Sequence, residues 1–263
     1  MTLYKHELKL NRLSFLIWLA GVLAMSAGCI FLFPLIDDSM ADMSDAFASM
    51  GGFSAAFGMD KLPITTLEGF FGTEIGTIFA LGGGMFASLI GISALSKEES
   101  SHTAEFLHTL TLSRSGIVTG KLLSIITLIA AFDAVAFGVF VGAASLIGES
   151  LSLQCLLGYI AAQFAAQIEL ASICLAMSAF SKRSSLGLGL GTALVLYVLD
   201  IVARITEKAD FLKYITPFSF SNATDVFVNK GSVETVPLCI GLCVTVISIL
   251  TAYMIYNRRD IAA

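Results

Sequence analysis

Six long apolar runs alternate with short polar stretches along this chain, and their spacing dictates most of its architecture. Residues 15–36, 70–96, 122–147, 153–180, 186–203 and 237–256 are apolar nearly throughout. Each is close to the ~20 residues that a helix needs to cross a hydrocarbon core. The pattern predicts an all-α integral membrane protein with a single domain, residues 1–263, and six transmembrane helices. Trp18 lies near the start of the first run, where an aromatic anchor belongs. Pro237 opens the sixth, at a position where a helix tolerates proline.

The polar stretches differ in kind. In residues 1–13, Lys5, Lys9 and Arg12 fall on one helical face and Leu3, Leu10 and Leu13 on another. This predicts an interfacial elbow helix, its basic side toward anionic headgroups, although Glu7 and Asn11 interrupt the apolar face. The apolar run that follows is too long for a signal peptide, and no small-residue cleavage site follows it. Residues 37–69 are acidic: Asp37, Asp38, Asp42, Asp45, Asp60 and Glu68 stand against Lys61 alone. Met40, Met43, Phe47 and Met50 recur at helical spacing there, predicting a helix packed on the outer surface and broken at Gly51, Gly52 and Gly58. Residues 204–236 form a second, mixed polar loop.

The segment 97–121, between the second and third runs, is the one long hydrophilic stretch that also reads as an amphipathic helix. Glu98, Glu99, His102 and Glu105 carry the charge, and Ala104, Phe106, Leu107 and Leu110 form an apolar side. Ser100, Ser101 and Thr103 are N-cap candidates. Residues Ser113 to Gly116 break the pattern, and Lys121 marks re-entry into an apolar run. A short helix at the membrane surface, braced by the ends of two spans, suits the transmission of force from a soluble partner. The alternative is an ordinary connecting loop.

Composition agrees with the pattern. Charged residues make up 13% of the chain, about half the usual ~25% of a soluble domain. Six spans place both termini on one side, and ten of the 15 Lys and Arg residues lie on that side. The positive-inside rule therefore puts the termini, the 97–121 segment and the SKRSS turn at 181–185 in the cytoplasm, and residues 37–69 and 204–236 outside. The five cysteines are odd in number and lie in or beside apolar runs, which argues against a disulfide framework and against a metal site. No nucleotide-binding loop, HExxH or GxSxG motif is present, and the three histidines do not cluster. Energetically costly work would draw on a partner or on an ion gradient, not on catalysis by this chain.

Two carboxylates stand inside apolar runs, Asp133 and Glu169. A charged group at mid-membrane costs roughly 2.5–3.5 kcal/mol on insertion scales, so each is expected to face protein or water. They either line a cavity or ion-coupled path, or pack between helices as hydrogen-bonded carboxyls. Gln163 and Gln167 share a helical face and can bond across a helix interface. The pairs Gly72/Gly76, Gly138/Gly142 and Gly187/Gly191 each have the spacing of closely packed membrane helices, consistent with a tight bundle or a dimer.

The sequence SKEESSHTAEFLHTLTLSRSGIVTGK resembles the cytoplasmic segment between the second and third spans of ABC type-2 exporter permeases. That family places acids, a Thr, an acidic-apolar helix, an LPLSR-like turn and a Gly-Lys re-entry in this order. Glu98, Glu99, Thr103, Glu105, Leu107, Leu110, Ser113, Arg114, Gly120 and Lys121 match, while Thr111 replaces the usual Pro. Ile215-Thr216-Pro217-Phe218 is similar to an SPF element before the last span, and Arg259-Asp260-Ile261 to the family's RDI ending. The resemblance covers the whole chain in topology.

It implies a bacterial plasma-membrane permease subunit, not itself an enzyme, that pairs with a second permease copy or paralogue and with two ATP-binding subunits. ATP and Mg would belong to those partners, with no cofactor, metal or nucleic acid bound here. Glu98, Glu99, Thr103, Glu105, Phe106, Leu107 and Arg114 would couple to the ATPase, and Asp133 and Glu169 could border the path of an unidentified substrate. The competing readings are an ion-coupled secondary transporter using Asp133 and Glu169, and a non-transporting membrane scaffold.

Overall fold

A backbone surrounded by lipid has to satisfy its polar groups within its own segment, so apolar runs of this length fold as helices. The computed structural model describes residues 2–48, 51–97, 113–181 and 185–258. Among them every regular element is helical: α1 (Thr2–Ala48), α2 (Gly52–Phe57), α3 (Leu67–Phe70), a π-helical turn (Phe71–Ile75), α4 (Gly76–Ser93), α5 (Arg114–Leu146), α6 (Leu153–Phe180), α7 (Leu186–Ile205), a 3-10 helix (Glu207–Tyr214), α8 (Ala223–Val228) and α9 (Thr235–Arg258). Six segments are long and apolar enough to cross a membrane: Leu3–Leu35, Leu67–Ser93, Arg114–Leu146, Leu153–Phe180, Leu186–Ile205 and Thr235–Arg258. They coincide in place with the six expected runs. The protein is a multi-pass helical membrane protein.

The boundaries depart from expectation at two places. The chain makes no break after residue 13: residues 1–13 were expected to form a separate elbow, yet one helix runs from Thr2 to Ala48. At 1.5 Å per residue it is about 70 Å long, more than twice the hydrocarbon thickness of ~30 Å. It also carries the backbone through Met40 and Phe47, so this stretch extends the first span and does not form an outer helix of its own. Met50 lies outside the described residues. The third span starts at Arg114, eight residues before the expected 122. Ser113 caps it, its Oγ accepting from the Gly116 amide at 3.1 Å, which converts the expected break at Ser113–Gly116 into a helix start.

The core sits between α4 and α6, with α1 and α5 on one flank, α7 against α4 and α9 against α6. Two-thirds of the most apolar window of the Leu67–Ser93 span is buried, against about a sixth for Thr235–Arg258. Rings fill the interior. Phe132 of α5 stacks on Phe79 and Phe86 of α4 at 5.7 and 5.2 Å, and Phe71 meets Phe140, Tyr159 and Phe227. Tyr159 donates its hydroxyl proton to the Gly76 carbonyl at 2.7 Å. The close approach of α4 to α6 requires glycine. A Cβ on Gly91 would lie 2.4 Å from the Ala171 carbonyl oxygen.

The loop between α7 and α9 folds back into the bundle. Phe218, Phe220, Ala223 and Phe227 are buried, and Phe218 meets Tyr197 edge-on at 5.4 Å. The Thr216 hydroxyl donates to the Leu196 carbonyl at 2.9 Å. Residues 216–228 of the mixed polar loop thus plug the end of the bundle opposite the start of α1.

Candidate functional site

The expected coupling residues Glu98, Glu99, Thr103, Glu105, Phe106 and Leu107 lie outside the described residues. The structure describes the two helix ends that flank them. On the entry side, the Leu95 and Ser96 amides both donate to Ser178 Oγ of α6 at 3.0 Å, tying the residues just past α4 to its neighbour. On the exit side stands Arg114, in the first turn of α5. A cation there opposes the helix dipole, but its guanidinium Nη1 donates to the Asn257 carbonyl at 3.2 Å, in the last turn of α9, where positive charge is favoured. Ser115 and Asn257 also hydrogen-bond, and the Thr119 and Tyr253 hydroxyls lie 2.8 Å apart.

Opposite α9, the same root of α5 receives α1. Lys121 Nζ donates to Glu7 Oε1 at 2.9 Å, with both side chains almost wholly buried. The inward face of α1 here carries Leu3 and Glu7, while Leu10 and Leu13 turn outward. Glu7 therefore does not blur an apolar face; it is the residue that the face presents. Lys121 does not mark a boundary, because the helix is already seven residues old and its ammonium has an internal counterion.

Asp133 and Glu169 are both buried but meet different elements. Gln167 Nε2 of α6 donates to Asp133 Oδ1 of α5 at 3.0 Å, and Gln163 Nε2 donates to the Ser221 carbonyl at 2.7 Å. The shared face of the two glutamines thus bonds across interfaces as its spacing predicts. Glu169 turns toward α9, where a Cβ on Gly241 would lie 2.3 Å from its Oε2. Asp133 Oδ2 and Glu169 Oε2 have no hydrogen-bond partner among the described residues. Asp133 is thus hydrogen-bonded between two helices of the same chain.

A further charged cluster occupies the end opposite the termini. Arg204 Nε and Nη2 donate to the two oxygens of Asp200 at 2.8 and 3.3 Å, and its Nη1 donates to Asp225 Oδ2 at 3.1 Å. Lys61 Nζ donates to Asp225 Oδ1 at 2.5 Å. The cluster joins the stretch between α2 and α3 to α7 and α8, and lines a polar pocket of about 680 Å³ together with Asp60, Asp210, Lys213 and Glu234. The hydrogen bond from Lys213 to Asp210 raises the pKa of that ammonium. Sequence reading missed this cluster. The i,i+4 spacing of Asp200 and Arg204 at the end of an apolar run was the available signal; Asp225 gave none.

Six helices long and apolar enough to cross a membrane, with buried polar bonds between them, define a polytopic helical membrane protein. The sequence model of the family described as ABC-2 family transporter protein matches residues 1–261, and the chain belongs to that family. It is accordingly a permease component of the ABC-2 type. No curated protein matches the sequence.

Proposed function

We propose that this chain is the membrane-spanning subunit of an ATP-driven exporter in a bacterial plasma membrane, with both termini cytoplasmic. It couples to a separate ATP-binding subunit, present in two copies, and pairs with a second permease copy or paralogue. The nucleotide and Mg belong to that partner. The observation that carries this reading is family membership over 1–261, joined to the anchoring of both helix ends that flank the segment 98–112. A segment whose two roots are fixed to different helices passes a displacement into the bundle. One that hung freely would absorb it. Glu98, Glu99, Thr103, Glu105, Phe106, Leu107 and Arg114 are the residues through which the partner would act. Such coupling requires each nucleotide state of the partner to bind a different position of the segment with a different free energy.

The ion-coupled reading is weaker. Asp133 is held by Gln167 inside a single chain, and neither Asp133 nor Glu169 lines the polar pocket at the distal end. The test is co-expression of the tagged chain with its neighbouring genes, followed by purification in mild detergent and assay of ATP hydrolysis. The expected outcome is a co-purifying ATPase whose rate is lowered or freed from regulation by Glu98→Ala or Glu99→Ala. A chain that purifies alone, without ATPase, overturns the reading.

A further inference from the structure

Two of the buried polar atoms without a hydrogen bond belong to side chains that are already bonded to each other. Gln167 Nε2 of α6 donates to Asp133 Oδ1 of α5 at 3.0 Å. The remaining atoms of the same two groups, Asp133 Oδ2 and Gln167 Oε1, are both buried and both unpartnered among the described residues. When the carboxyl is ionised, each of these atoms is an acceptor, and no bond can form between them. A carboxylic acid changes that. Its O–H donates to the amide oxygen while its carbonyl oxygen accepts from the amide N–H, closing a ring of two hydrogen bonds. One proton on Oδ2 thus satisfies both orphaned atoms, and leaving a buried acceptor unsatisfied is costly.

The neighbouring side chains offer no other donor. Phe132, next to Asp133, stacks on Phe79 and Phe86 of α4, and a Cβ on Gly83 would lie 2.7 Å from Gln167 Nε2. Tyr159 gives its hydroxyl proton to the Gly76 carbonyl, and Gln163 Nε2 goes to the Ser221 carbonyl. The other titratable groups on the elements packed against α5 lie elsewhere. α4 has none between Gly76 and Ser93, and α1 has only Cys29 between Phe15 and Phe33. Glu74 of the π-helical turn is exposed, and Glu169 turns toward α9. On α9, Cys239 and Cys243 are exposed, while Tyr253, Tyr256 and Arg258 belong to the end that meets the first turns of α5. We propose that Asp133 is a resident proton site: it holds a proton on Oδ2, and the resulting acid–amide ring with Gln167 joins α5 to α6 without placing a charge inside the span. The proposal concerns the chain itself and stands independently of the reading of 97–121 as a coupling segment.

The experiment compares the full-length chain, purified in mild detergent, with its Asp133→Asn variant. The asparagine amide reproduces both bonds of the ring, its N–H donating to Gln167 Oε1, but it carries no titratable proton. Two readouts are taken. The first is the infrared C=O band of un-ionised carboxylic acid at neutral pH, which should be weaker in Asp133→Asn than in wild type. The second is the thermal midpoint against pH. An acid that is protonated in the fold and ionises on unfolding makes the unfolded state bind fewer protons, so stability falls as pH rises. The wild-type midpoint should therefore drop relative to that of Asp133→Asn between about pH 5 and pH 8, above the ordinary carboxylate range. A midpoint difference that stays constant over this range overturns the proposal, since it means a carboxylate already charged in the fold, with water or a cation supplying the missing contact. An acid band equal in the two proteins overturns it as well, as does an Asp133→Asn chain that fails to fold.

Discussion

The two ends of the bundle both carry ion pairs, but they treat water differently. At the termini end, the Lys121 and Glu7 side chains are 1% and 4% exposed, a pair sealed between two helices. At the distal end the charges form a graded chain. Asp200 is 4% exposed, Arg204 12%, Asp225 29% and Lys61 43%, so that each step outward is wetter than the last. A sealed pair fixes the register of two helices and tolerates no partial opening. A graded chain can lose its outer links to water one at a time while its inner link holds. Charge in an otherwise apolar protein is thus used for rigidity at one end and for an accessible, mixed-charge vestibule at the other.

The sharpest way to break this comparison is to remove one member of the sealed pair. Glu7→Ala or Lys121→Ala should cost about 3–5 kcal/mol, because each breaks a buried ion pair by removing one partner. Thermal unfolding in detergent, followed by loss of monodisperse protein, would show this as a large drop in midpoint. The double variant Glu7→Leu with Lys121→Met should recover most of the loss, since two apolar groups of similar volume leave no charge behind. A double variant as unstable as either single one would mean that the pair does more than neutralise itself.

Next in size is Arg204→Ala, which strips Asp200 of both described hydrogen bonds and Asp225 of one. Hydrogen bonds to charged groups are worth about 1.5–3 kcal/mol, and the loss should fall in that range because Asp225 keeps Lys61 and Asp200 borders the polar pocket, whose water reaches it once the guanidinium is gone. Arg204→Lys should recover only part of it, since an ammonium cannot fork across both Asp200 oxygens. The same unfolding assay ranks the three proteins. An Arg204→Ala loss equal to that of Glu7→Ala would erase the proposed difference between the two ends.

How much of this was legible in the sequence follows the physics of each signal. Hydropathy located all six spans, because length and apolarity are properties of the segment alone. Their starts were less legible. The third begins at Arg114 because of a serine cap and a counterion 114 residues away, and only the cap is local. Glu7 looked like a flaw in an amphipathic face because its partner comes from another helix. The glycine pairs show the same limit. Gly72 and Gly76 are filled by Thr224 and Ala223, whereas Cβ atoms on Gly138, Gly142, Gly187 or Gly191 would meet nothing within 4 Å. Spacing marks a face that permits close approach, but it does not say whether the same chain supplies the other side. Asp133 and Glu169 stood out as carboxylates inside apolar runs, yet which helix each would face depended on packing that no local pattern encodes.

The smallest expected effect lies at the wet end of the graded chain. Lys61→Ala removes the 2.5 Å bond to Asp225, but Asp225 retains Arg204 and is itself partly solvated. Exposed pairs contribute about 0–1 kcal/mol, and this one should be at the low end and should fade as salt is raised, since its ammonium sits within reach of screening ions. A double-mutant cycle of Lys61→Ala with Asp225→Asn, measured at low and high ionic strength, isolates the pair from the Arg204 contact. A coupling energy near zero at high salt confirms that the outer link is replaceable by water. A coupling that persists unchanged with salt would mean that Lys61 closes the pocket as firmly as Lys121 locks α1 to α5, and the two ends of the bundle would then be built on the same principle.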